Sequence, residues 1–307
     1  MVIPVYNQIS GLERALISVV NQSFTPSQII IVDDGSDREV ADEICKISTD
    51  YSVRLVRHDA NKGVSQARNT GISVSESEWV ALIDADDYWD LNFLESTLDV
   101  AVKQSADLVG TAYYYLHANG VFSESEISLN RSLGSVFQVD DYFRYAASGD
   151  LPFTCSSVLL ARKIVMKSGL FEPGLSMGED QIFWYQLIRS GCRSFVLNRF
   201  LSTYDLSTTA SACNSISKVS SWQFVKKINH YSLDDSSPYK QKFLDKNGLK
   251  AFAYSILYGQ FDLAAEIRCS PLISSGFSRM IMSLLLFIPK RVASSLVAKF
   301  YEMFGKR

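Results

Sequence analysis

Four short clusters along the chain combine residue types that bind phosphates, sugars and hard cations. Asp84-Ala85-Asp86-Asp87 sets three carboxylates at the end of an apolar run. Carboxylate oxygens at such a turn can hold Mg2+ or Mn2+, which keep part of their shell for water and phosphate oxygens. The same residues also suit a turn that caps the next helix, and the pattern by itself leaves both readings open. Asp33-Asp34-Gly35-Ser36 closes another apolar run. A strand–turn–cap explains Gly35 and Ser36 but not two adjacent acids. A carboxylate accepting a hydrogen bond from a base imide or from ribose hydroxyls would explain them. Asn61-Lys62-Gly63 leads into a stretch carrying Arg68 and Asn69, and Gly178-Glu179-Asp180 opens a later one. There Ser176 and Glu179 have capping-box spacing, and Asp180 falls in the first helical turn, where the dipole favours any acid.

These clusters need a scaffold that brings them together, and the hydropathy pattern supplies one. Val2–Tyr6, Gln28–Val32, Val53–Arg57 and Trp79–Ile83 read as buried strands. Between them lie helix-like stretches: one through Leu12, Ala15, Leu16 and Val19, one from Ser36 to Ile47, and one over Val64–Val74. Ser10 with Glu13, and Ser36 with Glu39, have the spacing of capping boxes. A helix near Asn92–Gln104 and a strand near Leu108–Tyr115 continue the alternation. Repeated β-α-β units imply an α/β fold with a mainly parallel sheet flanked by helices. Ligands on such sheets bind beyond the carboxyl ends of the strands. Asp33, Asp34, Asp84, Asp86, Asp87, Lys62 and Arg68 all fall on that edge. Further on, Asp141–Ser148, Arg162–Ser168 and Glu179–Ser190 read as helices, Ser156–Ala161 and Phe195–Leu197 as strands. After Thr203 a polar stretch precedes an all-helical tail over 219–230, 239–259, 261–268 and 277–304.

Composition excludes several classes. At 47% hydrophobic the 307-residue chain can bury a core, and a net charge of −3 argues against a nucleic-acid binder. Five scattered cysteines with no C-x-x-C pair fit reduced thiols in a cytoplasmic protein. The chain opens on Val2-Ile3-Pro4-Val5 with no basic region or cleavage site of a signal peptide, and no apolar run approaches the ~20 residues of a spanning helix. There is neither a G-x-G-x-x-G dinucleotide fingerprint nor a P-loop.

In order and spacing, Val2-Ile3-Pro4-Val5-Tyr6-Asn7, Val32-Asp33-Asp34-Gly35-Ser36, Asn61-Lys62-Gly63 with Ala67-Arg68-Asn69-Thr70-Gly71, and Asp84-Ala85-Asp86-Asp87 resemble family 2 glycosyltransferases. Gly178-Glu179-Asp180 with Trp184 looks like that family's ED motif. The resemblance covers about residues 1 to 210 and implies a GT-A fold, a nucleotide-sugar donor (usually UDP-linked), and inversion at the anomeric carbon. Carried over by position, it places Pro4 and Tyr6 in the base pocket and Asp34, or its neighbour Asp33, on the uracil imide. Arg68 would face the phosphates or the base, Asp84 the ribose or donor sugar, and Asp86 the divalent metal, Mn2+ or Mg2+. Asp180 would be the base that deprotonates the acceptor hydroxyl, and Trp184 either flanks the acceptor or belongs to the core. The expected domains are a catalytic one at residues 1–212, with a donor half to 116 and an acceptor half from 117, and a helical extension over 213–307. Resemblance to bacterial members suggests a glycan acceptor, lipid-linked in type, in surface-polysaccharide assembly. An inactive nucleotide-sugar-binding module is the alternative of a different class. A sugar-1-phosphate nucleotidyltransferase lacks support, because no glycine- and lysine-rich loop follows Tyr6.

The sequence also departs from the family pattern. No Q-x-x-R-W follows Asp180, which speaks against a processive synthase. Tyr204-Asp205-Leu206-Ser207 stands where many relatives have a basic diphosphate contact, leaving Arg199 or Lys218 as substitutes. The histidines His58, His117 and His230 have no metal-ligand spacing and read as incidental. From Phe277 onward six bases face one acid, a net +5 that leaves −8 on the rest. With Pro289 breaking it and a second helix from about Arg291, this apolar tail either packs on protein or lies in the interface of the inner membrane, bases toward anionic headgroups.

Overall fold

In the computed structural model, which describes residues 1–127, 134–148, 151–207, 220–287 and 292–297, the first strand is β1 (Val2–Val5). It lies in a sheet with β2 (Ile30–Asp33), β3 (Arg54–Arg57) and β4 (Trp79–Leu82), all parallel, in the order β3-β2-β1-β4. The β-branched runs make β1 and β2 buried along their whole length. Between these strands run α1 (Leu12–Val20), α2 (Arg38–Asp50) and α3 (Val64–Val74). In α1 the residues Leu12, Ala15, Leu16 and Val19 form the buried stripe, the spacing of one helical face. Helix α3 lies close to β1 because Gly71 has no side chain: a Cβ there would fall 2.2 Å from Val2 Cγ1. Pro4 sits within β1, yet β1 pairs with β4 only at Val2↔Leu82. Its missing N–H therefore falls on the side where the ladder with β4 has ended.

Beyond β4 the sheet becomes mixed. After β5 (Tyr88–Trp89) and α4 (Phe93–Gln104) come β6 (Leu108–Leu116), β7 (Phe122–Glu124) and β8 (Val136–Gln138). Next are α5 (Tyr142–Ala146), β9 (Val158–Ala161), α6 (Arg162–Ser168), α7 (Glu179–Arg189) and β10 (Ser194–Asp205). The order continues β4-β9-β6-β10-β5, with β9 antiparallel to both neighbours and β10 parallel to β6. Strand β10 is far longer than the three residues expected. Register shifts between Leu197 and Ser202 break the alternation that would have announced it.

The chain divides into two compact units. The first comprises Met1–Tyr142, Leu151–Gly174 and Glu179–Ser211, and contains the whole sheet. The second comprises Phe143–Asp150, Leu175–Gly178 and Ala212–Arg307. Its helices are α8 (Ser221–Tyr231), α9 (Lys240–Leu257), α10 (Phe261–Cys269) and α11 (Gly276–Phe287). Trp222, Phe224, Phe243, Phe252 and Ile267 fill its core, and Phe143 packs against Phe243 at 5.1 Å. The expected boundary at residue 212, Lys218, and the break at Pro289 with a helix start at Arg291 lie outside the described residues. Residues 292–297 are helical.

Two capping boxes do not form. Gly11 and Asp37 precede α1 and α2, and neither helix has a side-chain cap. The Ser36 hydroxyl instead accepts the N–H of Asn7 at 2.9 Å, tying the end of β1 to the end of β2.

Candidate active site

The carboxyl ends of β2 and β4 carry the acidic clusters, as the alternation implies, and Tyr6 and Asn7 follow β1 beside them. At the end of β2, Asp33 is fully buried and its carboxylate pairs with Arg57 and accepts the Ser36 N–H at 2.9 Å. Asp34, also buried, accepts from Lys62 N–H (3.0 Å) and Gly63 N–H (2.8 Å) and pairs with His58 Nδ1 at 2.6 Å. An ionised carboxylate has about four acceptor positions, so three bonds leave Asp34 capacity for one more donor. His58 is thus not incidental. Its other nitrogen meets Thr70 Oγ1 at 2.9 Å, fixing Asp34 against α3. Pro4 is buried within β1, whereas Tyr6 follows it with 47% of its surface exposed.

The turn after β4 is held from two sides. Asp84 takes two contacts from Arg68 Nη2, at 2.8 and 3.0 Å. Asp86 is half-buried, and its carboxyl is pushed up to about 6, first by burial, then by the charges of Asp84 and Asp205. Asp87 is buried and accepts the N–H of Asp205 at 2.9 Å. Burial, then the charges of Asp86 and Asp84, raise its carboxyl well above the ordinary value. Its Oδ2 is buried without a hydrogen-bond partner. Arg14 of α1 donates to the backbone oxygen of Asp86, pairs with Asp205 at 2.6 Å and lies over the Tyr88 ring at 4.7 Å. Burial alone would raise the Asp205 carboxyl, but hydrogen bonds from Ser207 and Arg14 bring it below the usual carboxylate value. The turn is crowded with carboxyl oxygens and short of positive charge.

That imbalance is the test of a metal. Among the described residues no group of three or more His, Cys, Asp or Glu side chains is arranged to enclose an ion. An ion held by one or two carboxylates and completed by water and diphosphate needs no such enclosure. Asp86, half-exposed beside other acids and beside an unpartnered Asp87 oxygen, fits that mode.

Arg68 links this turn to the later motif. Its guanidinium is buried, reaches Glu179 Oε1 at 3.0 Å with its other nitrogen, and lies 5.4 Å from the centre of the Phe171 ring. In this structure it therefore engages two carboxylates, Asp84 of the turn after β4 and Glu179 of α7. The neighbouring Asn69 exchanges two hydrogen bonds with the Phe171 backbone, at 2.7 and 2.9 Å, which sets the loop before α7. Glu179 is an ion-pair partner at the helix start. Asp180 beside it has its carboxyl pushed up to about 7, by burial first and the Glu179 charge second, with Arg68 acting the other way. Burial and the Asp180 charge also hold the Tyr142 hydroxyl well above its ordinary value. Trp184 is fully buried against Phe153, Phe171 and Phe183, so it belongs to the core.

Sequence reasoning passed over Arg14 and Tyr142, read His58 as incidental, and saw Asp205 only as standing where a basic contact was expected. The signal for Arg14 is weak: a single base beside Glu13 on an amphipathic helix near the acidic turns. Arg199, offered as a substitute phosphate contact, bonds Ser96 Oγ at 3.1 Å on α4.

Comparison with known proteins identifies the family and the fold. The family model described as "Glycosyl transferase family 2" matches residues 1–154. Glycosyltransferase GlyA of Streptococcus pneumoniae is 32% identical over 40% of this chain and 18% of its own length. EpsJ of Bacillus subtilis, an uncharacterized glycosyltransferase, is 26% identical over 66% of this chain and 60% of its own. The chain thus spans less than two thirds of either. TuaG of Bacillus subtilis, whose name provisionally assigns it to teichuronic acid biosynthesis, is 27% identical over 74% of this chain and 84% of its own. Among solved structures, S. aureus TarS 1–349 in complex with UDP-GlcNAc superposes with a TM-score of 0.65 at 14% identity, over 98% of this chain and 90% of that one. A mannosyltransferase from Pyrobaculum calidifontis in complex with GDP-Man and Mn2+ does so at 0.59 and 14%, over 100% and 87%. With its acidic turns on one edge of a parallel half-sheet and its family model matching half the chain, the protein belongs to glycosyl transferase family 2 and has the GT-A fold.

Proposed function

We propose that the enzyme moves one sugar from a nucleotide-sugar donor, UDP-linked, to a hydroxyl of a lipid-linked glycan during assembly of a bacterial surface polysaccharide. Residues 1–116 serve the donor, 117–212 the acceptor, and 213–307 form a helical extension. The chain works on the cytoplasmic side, peripheral to the inner membrane; among the described residues no helix is long and apolar enough to cross one. The observation that carries the reading is Asp180, a carboxyl raised to about 7 and joined to the donor-side turn through Glu179, Arg68 and Asp84.

The chemistry is a single displacement. The acceptor oxygen attacks the anomeric carbon from the face opposite the diphosphate, the bond to the diphosphate oxygen breaks, and its electron pair leaves with the nucleotide. Configuration inverts. The hydroxyl proton passes to Asp180, whose pKa near the working pH suits a general base. Tyr6, half-exposed beyond β1, and the buried Pro4 border the base, and Asp34 takes the imide with its remaining acceptor position. Asp33 is committed to Arg57 and supports its neighbour. A divalent ion at Asp86 would supply Lewis-acid stabilisation of charge on the departing diphosphate. TarS with UDP-GlcNAc and the archaeal enzyme with GDP-Man and Mn2+ support a nucleotide-sugar donor and a metal.

The test is a donor screen across UDP-, GDP- and dTDP-sugars with Mn2+, read by nucleotide release, with Asp180→Asn in parallel. The variant is expected to bind donor with unchanged affinity and to transfer at least a hundredfold more slowly. Donor binding without release by the natural sequence would instead establish an inactive sugar-nucleotide-binding module.

A further inference from the structure

The end of the second unit carries more apolar surface than its packing uses. Helix α11 packs on α9 and α10, with Ser278 and Met282 buried on the inner side. In residues 292–297, Ala293 and Val297 are buried and the Ser294 hydroxyl donates to the Ile256 carbonyl at 3.2 Å. The inward faces are therefore satisfied. On the outward side Met280, Leu284 and Phe287 recur at one-turn spacing and are 51%, 60% and 88% exposed. Val292 and Leu296 repeat the pattern at 48% and 49%. Five large apolar side chains thus lie open within seventeen positions, a density no other described stretch of comparable length reaches.

Charge identifies what covers them. Between Glu266 and Glu302 the chain has no acidic residue and five bases: Arg268, Arg279, Lys290, Arg291 and Lys299. A second copy of this surface would bring two positive, acid-free stretches together. An anionic bilayer offers both complements, headgroup charge for the bases and an acyl boundary for the apolar side chains. We propose that Met280, Leu284, Phe287, Val292 and Leu296 form a surface that docks this chain on an anionic phospholipid bilayer. The inference rests on the reading of a lipid-linked acceptor for its purpose, but its evidence is the exposed face and the acid-free sequence. Attachment is reversible, since a few partly inserted side chains and bases give far less affinity than a spanning helix.

The experiment uses the full chain and vesicles that contain neither donor nor acceptor, so its outcome is independent of whether transfer is observed. Flotation is compared between vesicles of equal parts phosphatidylcholine and phosphatidylglycerol and vesicles of phosphatidylcholine alone, at low and high salt. Binding is expected for the anionic vesicles, weakening as salt rises. Leu284→Ser with Phe287→Ser should weaken it about a hundredfold, roughly tenfold per side chain. Lys290→Gln with Arg291→Gln should cost about fivefold per charge. The exposure of Leu284 and Phe287 predicts an unchanged melting temperature, and the charge variant tests the acid-free stretch without removing an apolar side chain. Indifference of the full chain to anionic vesicles at low salt would overturn the proposal. So would equal binding to neutral vesicles, or an oligomer by light scattering that Phe287→Ser dissociates while vesicles are ignored.

Discussion

Replacing Asp180 with asparagine is expected to stabilise the folded protein above neutral pH while removing its transfer activity. The Asp180 carboxyl has a pKa of about 7 in the fold against an ordinary value of 3.8. Between those values the folded chain keeps a proton that the unfolded chain has released, so stability falls as pH rises. The loss begins near the unfolded value and is complete once pH passes the folded one. A gap of about 3 units, at about 1.4 kcal/mol per unit, sets an upper scale of roughly 4 kcal/mol at pH 8. Asparagine has nothing to ionise and escapes that cost. It also keeps the oxygen that accepts the Gln181 N–H at 2.7 Å. Urea denaturation of both proteins from about pH 3 to pH 8 measures the effect. The variant should match the parent at the acid end and gain steadily toward neutrality, then level off. A stability difference that ignores pH, or an asparagine variant weaker than the parent at pH 8, would show that Asp180 is not held protonated by its surroundings.

Three further outcomes are expected. Glu179→Gln removes the charge that raises Asp180, so the acid limb of kcat, expected near pH 7, should move to lower pH; a limb that stays fixed would detach Asp180 from the limiting proton transfer. Asp86→Ala should leave the melting temperature nearly unchanged and reduce Mn2+-stimulated nucleotide release at least a hundredfold, and near-normal stimulation would refute the metal assignment. Gly11→Ala would put a Cβ 2.4 Å from the Ala85 carbonyl oxygen and 2.8 Å from Asp86 Cα. Moving that backbone should cost about 1–3 kcal/mol and slow turnover together, and a neutral result in both assays would show that the turn yields freely.

How much of this was legible in the sequence depends on the range of each interaction. The strands of the donor half and helix α3 are continuous apolar or periodic runs, and the structure places α3 at Val64–Val74 as read. Strands β5, β7 and β8 are two or three residues long and lie in stretches that read as loop, since their pairing partners rather than their own sequences define them. The capping boxes at Ser10 and Ser36 had correct spacing, but Asn7, brought in by the β1–β2 pairing, takes the Ser36 hydroxyl. Site residues follow the same rule. Acidic clusters at strand ends are local and visible. Arg14 and Asp205 stand 191 positions apart, and the pairing of β10 with β5 and β6 brings Asp205 to the turn.

Arg68 shows why residues with a chemical type in view can still carry an unforeseen role. An arginine on the helix facing an acidic edge suggests a phosphate contact, and that is what the motif resemblance implied. In the fold its buried guanidinium spans Asp84 and Glu179, so one rigid fork joins the turn after β4 to the helix that carries Asp180. Arginine suits the task because its planar fork can serve two carboxylates while remaining charged under burial. The same charge opposes the rise in the Asp180 pKa caused by burial and Glu179, holding that carboxyl near 7 rather than higher. A base too readily protonated would be inactive at neutral pH, and one too acidic would be a poor proton acceptor. Asp84 and Glu179 thus keep Arg68 in place, and Arg68 in turn helps to set the proton affinity of Asp180, the residue proposed to take the acceptor proton.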